Sequence, residues 1–272
     1  VTVAFSIGMF VMAPLIQYLI NYYGWSRALQ TGGGLVLIIS LLALGLPGNK
    51  SKREIHTEPK PDSELTLLET IYGAMSHYGY LLLNLGFFVC GFHVAFIGTH
   101  LPSFLQSEGI SVSTASWALA MIGLFNMFGS MIFGRMGDSL SKKNLLSLLY
   151  TLRAVVIAGF IAIPINEITA IVFGAAIGFF WLATVPLTSG IVAQVFGTRY
   201  LSSLWAIVFF SHQIGAFLGV WLGGRVYDAT GSYTPVWLAS IALGLLAGII
   251  HLPIREHPWK SPALKMQPSG GD

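Results

Sequence analysis

The chain has 272 residues, of which 54% are hydrophobic and 9% are Asp, Glu, Lys or Arg, where a soluble domain carries about 25% charged residues. So little polar surface cannot cover a water-soluble core, and the chain is expected to sit in lipid. A formal net charge of +3 raises the question of nucleic acid, but the cations follow membrane topology, as described below, and no nucleic-acid partner is needed.

Stretches of roughly 20 apolar residues predict helices over 1–20, 27–46, 77–101, 113–134, 145–163, 168–190, 200–223 and 233–252. The fold class is therefore all-α, a polytopic transmembrane helix bundle. The chain opens on Val1 and enters an apolar run at once, without the basic flank and cleavage site of a signal peptide, so it is read as a piece whose start is missing. The turn Tyr22-Tyr23-Gly24-Trp25-Ser26-Arg27 separates the first two helices.

Segment 47–76 is rich in charge and proline, with Lys50, Lys52, Arg53 and Lys60 among its cations. It reads as a solvated linker, because its polarity bars it from lipid and its prolines discourage a long helix. The organisation is then 1–46, the end of one bundle; 47–76, linker; 77–252, a second bundle; and 253–272, a polar tail.

In the third predicted helix, Cys90 offers neither a disulfide nor a metal site and reads as a small hydrophobe. His93 and His100 are two turns apart on one face. His93 can titrate near neutral pH and relay a proton, or it can donate to a carbonyl of the next helix; for His100, beside Pro102, the carbonyl contact is expected. Asn126 lies mid-membrane in the fourth helix.

That helix runs into Gly134-Arg135-Met136-Gly137-Asp138-Ser139-Leu140-Ser141-Lys142-Lys143. Here two glycines let the backbone turn sharply, and Asp138 lies within reach of cations that can hold or release helix ends. An echo, Gly224-Arg225-Val226-Tyr227-Asp228, follows about 90 residues later. An odd number of intervening crossings puts it on the opposite face, which describes an inverted repeat.

Arg153 sits about nine residues into the fifth predicted helix, or roughly 13 Å from its cytoplasmic end. A buried arginine costs at least about 2.5 kcal/mol to insert, and no acidic residue inside a predicted span is there to pair with it. It reads either as a fixed charge for an anionic solute, with Tyr150 one turn away, or as a donor to backbone carbonyls or a cytoplasmic Asp. Trp181, Thr184 and Thr188 in the sixth helix and His212 and Gln213 in the seventh fall at comparable depths. Converging polar groups predict a cavity that Trp181 walls, although each alone can be interhelical glue. Pro186 is expected to free a carbonyl and bend the sixth helix near Thr184. Glycines at four-residue spacing, Gly174 and Gly178, Gly215, Gly219 and Gly223, and Gly244 and Gly248, read as close helix packing.

Assigning alternate loops to the two sides puts Lys50, Lys52, Arg53, Lys60, Arg135, Lys142, Lys143, Arg199, Arg255, Lys260 and Lys265 together, against Arg27 and Arg225. The positive-inside rule then places the linker, the decapeptide and the tail in the cytoplasm, in a bacterial inner membrane.

Gly134-Arg135-x-Gly137-Asp138 followed by Lys142-Lys143 resembles the cytoplasmic loop motif of the major facilitator superfamily. The chain as a whole resembles the fifth to twelfth helices of such a protein. The Tyr23-Gly24-Trp25-x-Arg27 turn and the stretch Gly224 to Tyr233 are similar to the monocarboxylate transporter and oxalate/formate antiporter branch. The resemblance implies eight helices of a twelve-helix carrier with a central site between two halves and alternating access, the absent N-terminal helices being partners of those present. Members of the branch often carry an arginine in the eighth helix, and oxalate exchangers a lysine in the eleventh; the matching helices here offer Asn126 and His212, and the buried arginine is in the ninth.

The expected function is secondary transport of a small organic anion, monocarboxylate-like, by proton coupling or exchange. Arg153, Tyr150, Asn126, Trp181, His212 and Gln213 are the candidate solute contacts and His93 the candidate relay, with Gly134, Arg135, Gly137, Asp138, Lys142 and Lys143 as a cytoplasmic gate. An exporter of hydrophobic compounds and a carrier-like sensor are the alternatives. The histidines lack metal-ligand spacing, no phosphate loop follows a strand and no carboxylate pair lies inside the bundle, so no enzyme, metal or cofactor is expected.

Overall fold

The computed structural model of the chain describes residues 2–44 and 65–259, with side chains from residue 4 to 39 and from 65 to 259. Lys50, Lys52, Arg53, Lys60, Lys260 and Lys265 lie outside the described residues. Among the described residues every regular element is a helix: α1 (Thr2–Leu44), α2 (Leu67–Met75), α3 (Tyr78–Ser107), α4 (Val112–Ser139), α5 (Lys142–Ala162), α6 (Glu167–Phe179), α7 (Thr184–Phe196), α8 (Leu201–Thr230) and α9 (Thr234–His251). Seven stretches of the described residues are long and apolar enough to cross a membrane, α6 and α7 counting together as Glu167–Phe196.

Three boundaries differ from the sequence expectation. The two predicted N-terminal helices meet inside α1 with no loop between them, at Gly24, the one residue there with non-helical backbone (φ 80°, ψ 163°). Only glycine takes that conformation without a Cβ clash. The second half of the expected linker contains α2, whose Thr66 and Glu69 form a reciprocal cap: Glu69 Oε2 accepts from Thr66 N at 2.7 Å, and Glu69 N donates to Thr66 Oγ1 at 3.3 Å. The sixth predicted helix is two helices, α6 and α7, with a break at Phe180–Ala183. Pro186 lies in the first turn of α7, where a missing N–H costs nothing.

The packing carries the symmetry that the sequence echo predicts. After the linker, the first helix of each three-crossing set packs on the second of the other, α3 on α8 and α6 on α4, while the third helices, α5 and α9, pack together. Both crossings are backbone to backbone. A side chain at Gly215 or Gly219 would run into the carbonyls of Phe88 and Phe92, and one at Gly174 or Gly178 into the backbone of Ala118 and Ile122. Gly244 and Gly248 face α5 less closely, meeting the Ala154 and Thr151 side chains before the Tyr150 and Ser147 carbonyls. Small residues are favoured here because lipid offers helices no hydrophobic drive to associate, leaving dispersion and polar contacts to hold them. Large apolar side chains such as Phe210 (66% exposed) and Ile249 (64%) point outward, as expected of surfaces solvated by lipid.

Candidate functional site

The decapeptide is not the glycine turn expected. α4 continues through Gly134 and Gly137 to Ser139, and only Leu140 and Ser141 connect it to α5. Gly137 instead leaves room for Leu187 of α7, and Gly134 faces Pro186. Glycine marks both turns and close helix contacts, and the contact wins here because the helix pattern persists beneath it.

The basic pair binds neighbouring helix ends. Lys142 Nζ donates to Gln194 Oε1 of α7 at 3.0 Å, and Lys143 Nζ donates to the Leu252 carbonyl at the end of α9 at 2.9 Å. Arg135 and Asp138 are exposed. The carboxylate that anchors this corner is Glu256, whose Oε1 accepts the backbone N–H of Lys143 at 2.6 Å. Ser141 makes no side-chain cap to α5, so Glu256 supplies the anion that the helix N-terminus favours. Glu256→Ala should therefore lower stability by about 1 kcal/mol, read as a fall in thermal midpoint in detergent, with Glu256→Gln intermediate.

Deeper in the bundle, Arg153 of α5 is 1% exposed. Its guanidinium reaches the α6–α7 break, where Nε and Nη2 donate to the Phe180 carbonyl at 2.9 and 2.6 Å and Nη2 also donates to the Trp181 carbonyl. Nη1 donates to Cys90 Sγ at 3.4 Å. The guanidinium also lies 5.3 Å from the centroid of the Tyr150 ring, a cation–π distance. A broken helix leaves carbonyls without intrahelical partners, and a cation is the strongest donor that can satisfy them in a dry interior. The carboxylates of these spans lie only near their ends, at Asp138, Glu167 and Asp228.

Asn126 of α4 holds the same break from the other side. Its Oδ1 accepts from Leu182 N at 2.9 Å and Ser130 Oγ at 3.2 Å, and its Nδ2 donates to Ser6 Oγ of α1 at 2.9 Å. Trp181 lies in the break itself, 2% exposed. Arg153, Tyr150, Asn126 and Trp181 are thus brought together around residues 180–183, as packed protein.

Cys90 is not the bland hydrophobe expected. Besides Arg153 it meets Thr184 Oγ1 at 3.3 Å and neighbours His212. His212 lies between Phe87 and Phe209, with ring centroids at 5.0 and 5.4 Å, and its Nδ1 donates to Gln213 Oε1 at 3.2 Å. Sequence reasoning missed the thiol because its partners lie 63 and 94 residues away and no local pattern marks it. Tyr150 Oη and Thr188 Oγ1 are buried without a hydrogen-bond partner.

His93 Nε2 donates to the Ser240 carbonyl of α9 at 2.8 Å, while Nδ1 is buried without a partner. His100 Nε2 donates to the Val220 carbonyl of α8 at 2.9 Å, the contact expected of it. A separate groove of about 780 Å³ lies between α2, the start of α3 and the residues after α9, lined by Tyr72, His77, Arg255 and Trp259 among others. None of the candidate solute residues reaches it.

Comparison with known proteins completes this picture. The Major Facilitator Superfamily matches residues 1–170 and 83–268 in two overlapping stretches. The chain is similar to monocarboxylate transporter 12 of Mus musculus, 29% identical over 281 residues that cover 91% of this chain and 57% of that protein. It is also similar to monocarboxylate transporter 13 of Rattus norvegicus, 30% identical with the same coverage of each chain. A further relative is the uncharacterized MFS-type transporter YcxA of Bacillus subtilis (strain 168), 25% identical over 92% of this chain and 62% of that protein. The chain therefore spans about three fifths of the length of these relatives.

Proposed function

Because the chain belongs to the major facilitator superfamily, we propose that the complete protein is a secondary carrier of a small organic anion, monocarboxylate-like, working by alternating access with proton coupling or exchange. The supporting observation is Arg153: a cation buried at mid-bundle whose charge is met by carbonyl dipoles and a thiol, with no carboxylate at its depth among the described residues. A solute carboxylate supplies the missing countercharge, displaces Cys90 from Nη1 and competes with the Phe180 and Trp181 carbonyls for Nη2. Tyr150, Trp181 and Asn126 line the same point. His212 and Gln213 join it through Cys90, and His93 is the candidate relay. In this reading residues 1–46 close one bundle, 77–252 form the other, and the linker and tail face the cytoplasm of the cell membrane that holds the carrier. Gly134, Arg135, Gly137, Asp138, Lys142 and Lys143 form the cytoplasmic gate, tied to α7 and α9 through the lysines.

One observation favours a second reading, export of hydrophobic compounds: most of the guanidinium N–H groups of Arg153 are spent on backbone, which suits a purely structural arginine. Counterflow in proteoliposomes separates the two. Salts of short organic acids should compete with one another and respond to an imposed pH gradient, while lipophilic cationic dyes should not compete; the reverse pattern overturns the anion reading.

A further inference from the structure

The carbonyls of the α6–α7 break are held by Arg153, but the N–H of Leu182 is held by Asn126, and Asn126 also touches α1. α1 precedes the linker and α4 follows it, so this amide bridges the two parts of the chain. The contact is intimate: a Cβ at Gly123, one turn before Asn126, would lie 2.7 Å from Phe10 N and 2.8 Å from Ser6 O. Asn126 and Ser6 are both fully buried. One side chain therefore joins three elements, with Nδ2 toward Ser6 and Oδ1 toward Leu182 N.

We propose that Asn126 is a positioning residue that couples the α1–α4 contact to the shape of the α6–α7 break, and so to the Arg153 site. An amide is planar and its two ends cannot move independently. While Ser6 holds Nδ2, the plane is fixed at both ends and Oδ1 is aimed at Leu182 N; when α1 moves away from α4, Nδ2 loses its partner and only Ser130 Oγ and Leu182 N still hold Oδ1, so the amide turns more readily and Leu182 N is held less firmly. Loosening that end of the break changes where Phe180 and Trp181 present their carbonyls to Arg153, and with it the competition between those carbonyls and a bound carboxylate. Motion between the two parts of the chain is in this way transmitted to the solute. The last step rests on the proposed carrier function; the link from Ser6 to Leu182 does not.

The test is hydrogen–deuterium exchange of the full-length protein over residues 178–186, without solute, in wild type, Ser6→Ala, Ser6→Thr and Asn126→Ala. Ser6→Ala leaves every contact of the break itself in place, yet it should speed exchange of this segment by about 2- to 10-fold, the worth of one hydrogen bond. Ser6→Thr, which keeps the hydroxyl, should restore wild-type exchange, and Asn126→Ala should match or exceed Ser6→Ala. If exchange is unchanged in Ser6→Ala while Asn126→Ala is faster, Asn126 serves the break alone and the coupling is overturned. In counterflow, Ser6→Ala should shift the half-saturating concentration several-fold, because the carbonyls that compete with the solute for Arg153 are less firmly placed, and Ser6→Thr should not; a half-saturating concentration unchanged in Ser6→Ala overturns the transmission to the solute. A wild-type protein that moves no organic acid removes the carrier reading and leaves the Ser6–Leu182 link to be decided by exchange.

Discussion

Replacing Arg153 with Gln should reduce organic-acid counterflow by about 100-fold while folded protein is still recovered. Two charge-assisted hydrogen bonds of about 1.5 to 3 kcal/mol each are at stake, and under the proposed carrier reading a solute carboxylate would lose its guanidinium countercharge. Gln keeps an N–H₂ that can reach one of the Phe180 and Trp181 carbonyls, so the break retains part of its support and the variant tests charge more than scaffold. Arg153→Lys sharpens the comparison: it keeps the charge but cannot fork across two carbonyls. If the charge binds solute, Lys should retain measurable counterflow with a raised half-saturating concentration. If the guanidinium is only scaffold, Lys and Gln should lose thermal stability together. Wild-type counterflow in the Gln variant would dismiss Arg153 as a solute ligand.

Substituting Leu for Gly215 should be the most damaging change to the fold. The new Cβ would run into the Phe88 carbonyl and crowd the backbone of Phe92, atoms fixed within α3 that cannot swing aside as a side-chain tip can. The α3 and α8 axes must separate, at a cost of about 3 kcal/mol or more, and the packing around Gly91 and Gly219 is lost with them. Gly129→Leu should behave alike, because its Cβ would strike the Phe179 carbonyl at the corresponding α4–α6 crossing. Gly159→Ala is the control: nothing lies within 4 Å of its Cβ, and alanine should raise helix stability by up to about 1 kcal/mol. Detergent-solubilised yield and thermal midpoint would measure all three. A Gly215→Leu protein with a wild-type midpoint would contradict the close crossing.

Much of the site was legible, but in fragments. The depth of Arg153 follows from its place in an apolar run, and its two possible roles could be stated from sequence. Its actual carbonyls, Phe180 and Trp181, could not be named, because the helix that carries them breaks several residues before the Pro186 that announces a bend. Glycine was ambiguous in the opposite sense. At Gly174, Gly178, Gly215 and Gly219 regular spacing on one face identified packing correctly. At Gly134 and Gly137 nearby charges suggested a turn, and the helix runs on. Cys90, Ser6 and Glu256 carried no signal at all, since each matters only through a partner far away along the chain.

The sequence alone determined that this protein is an all-helical membrane bundle, where most of its crossings lie and which cation is buried, because transfer of a side chain from water to lipid is paid residue by residue and needs no knowledge of neighbours. Only the tertiary structure decided that Arg153 and Asn126 grip the two sides of one broken helix, and that Asn126 also reaches α1. Those contacts depend on which helices cross and how closely, and glycines far apart in the chain set that distance jointly.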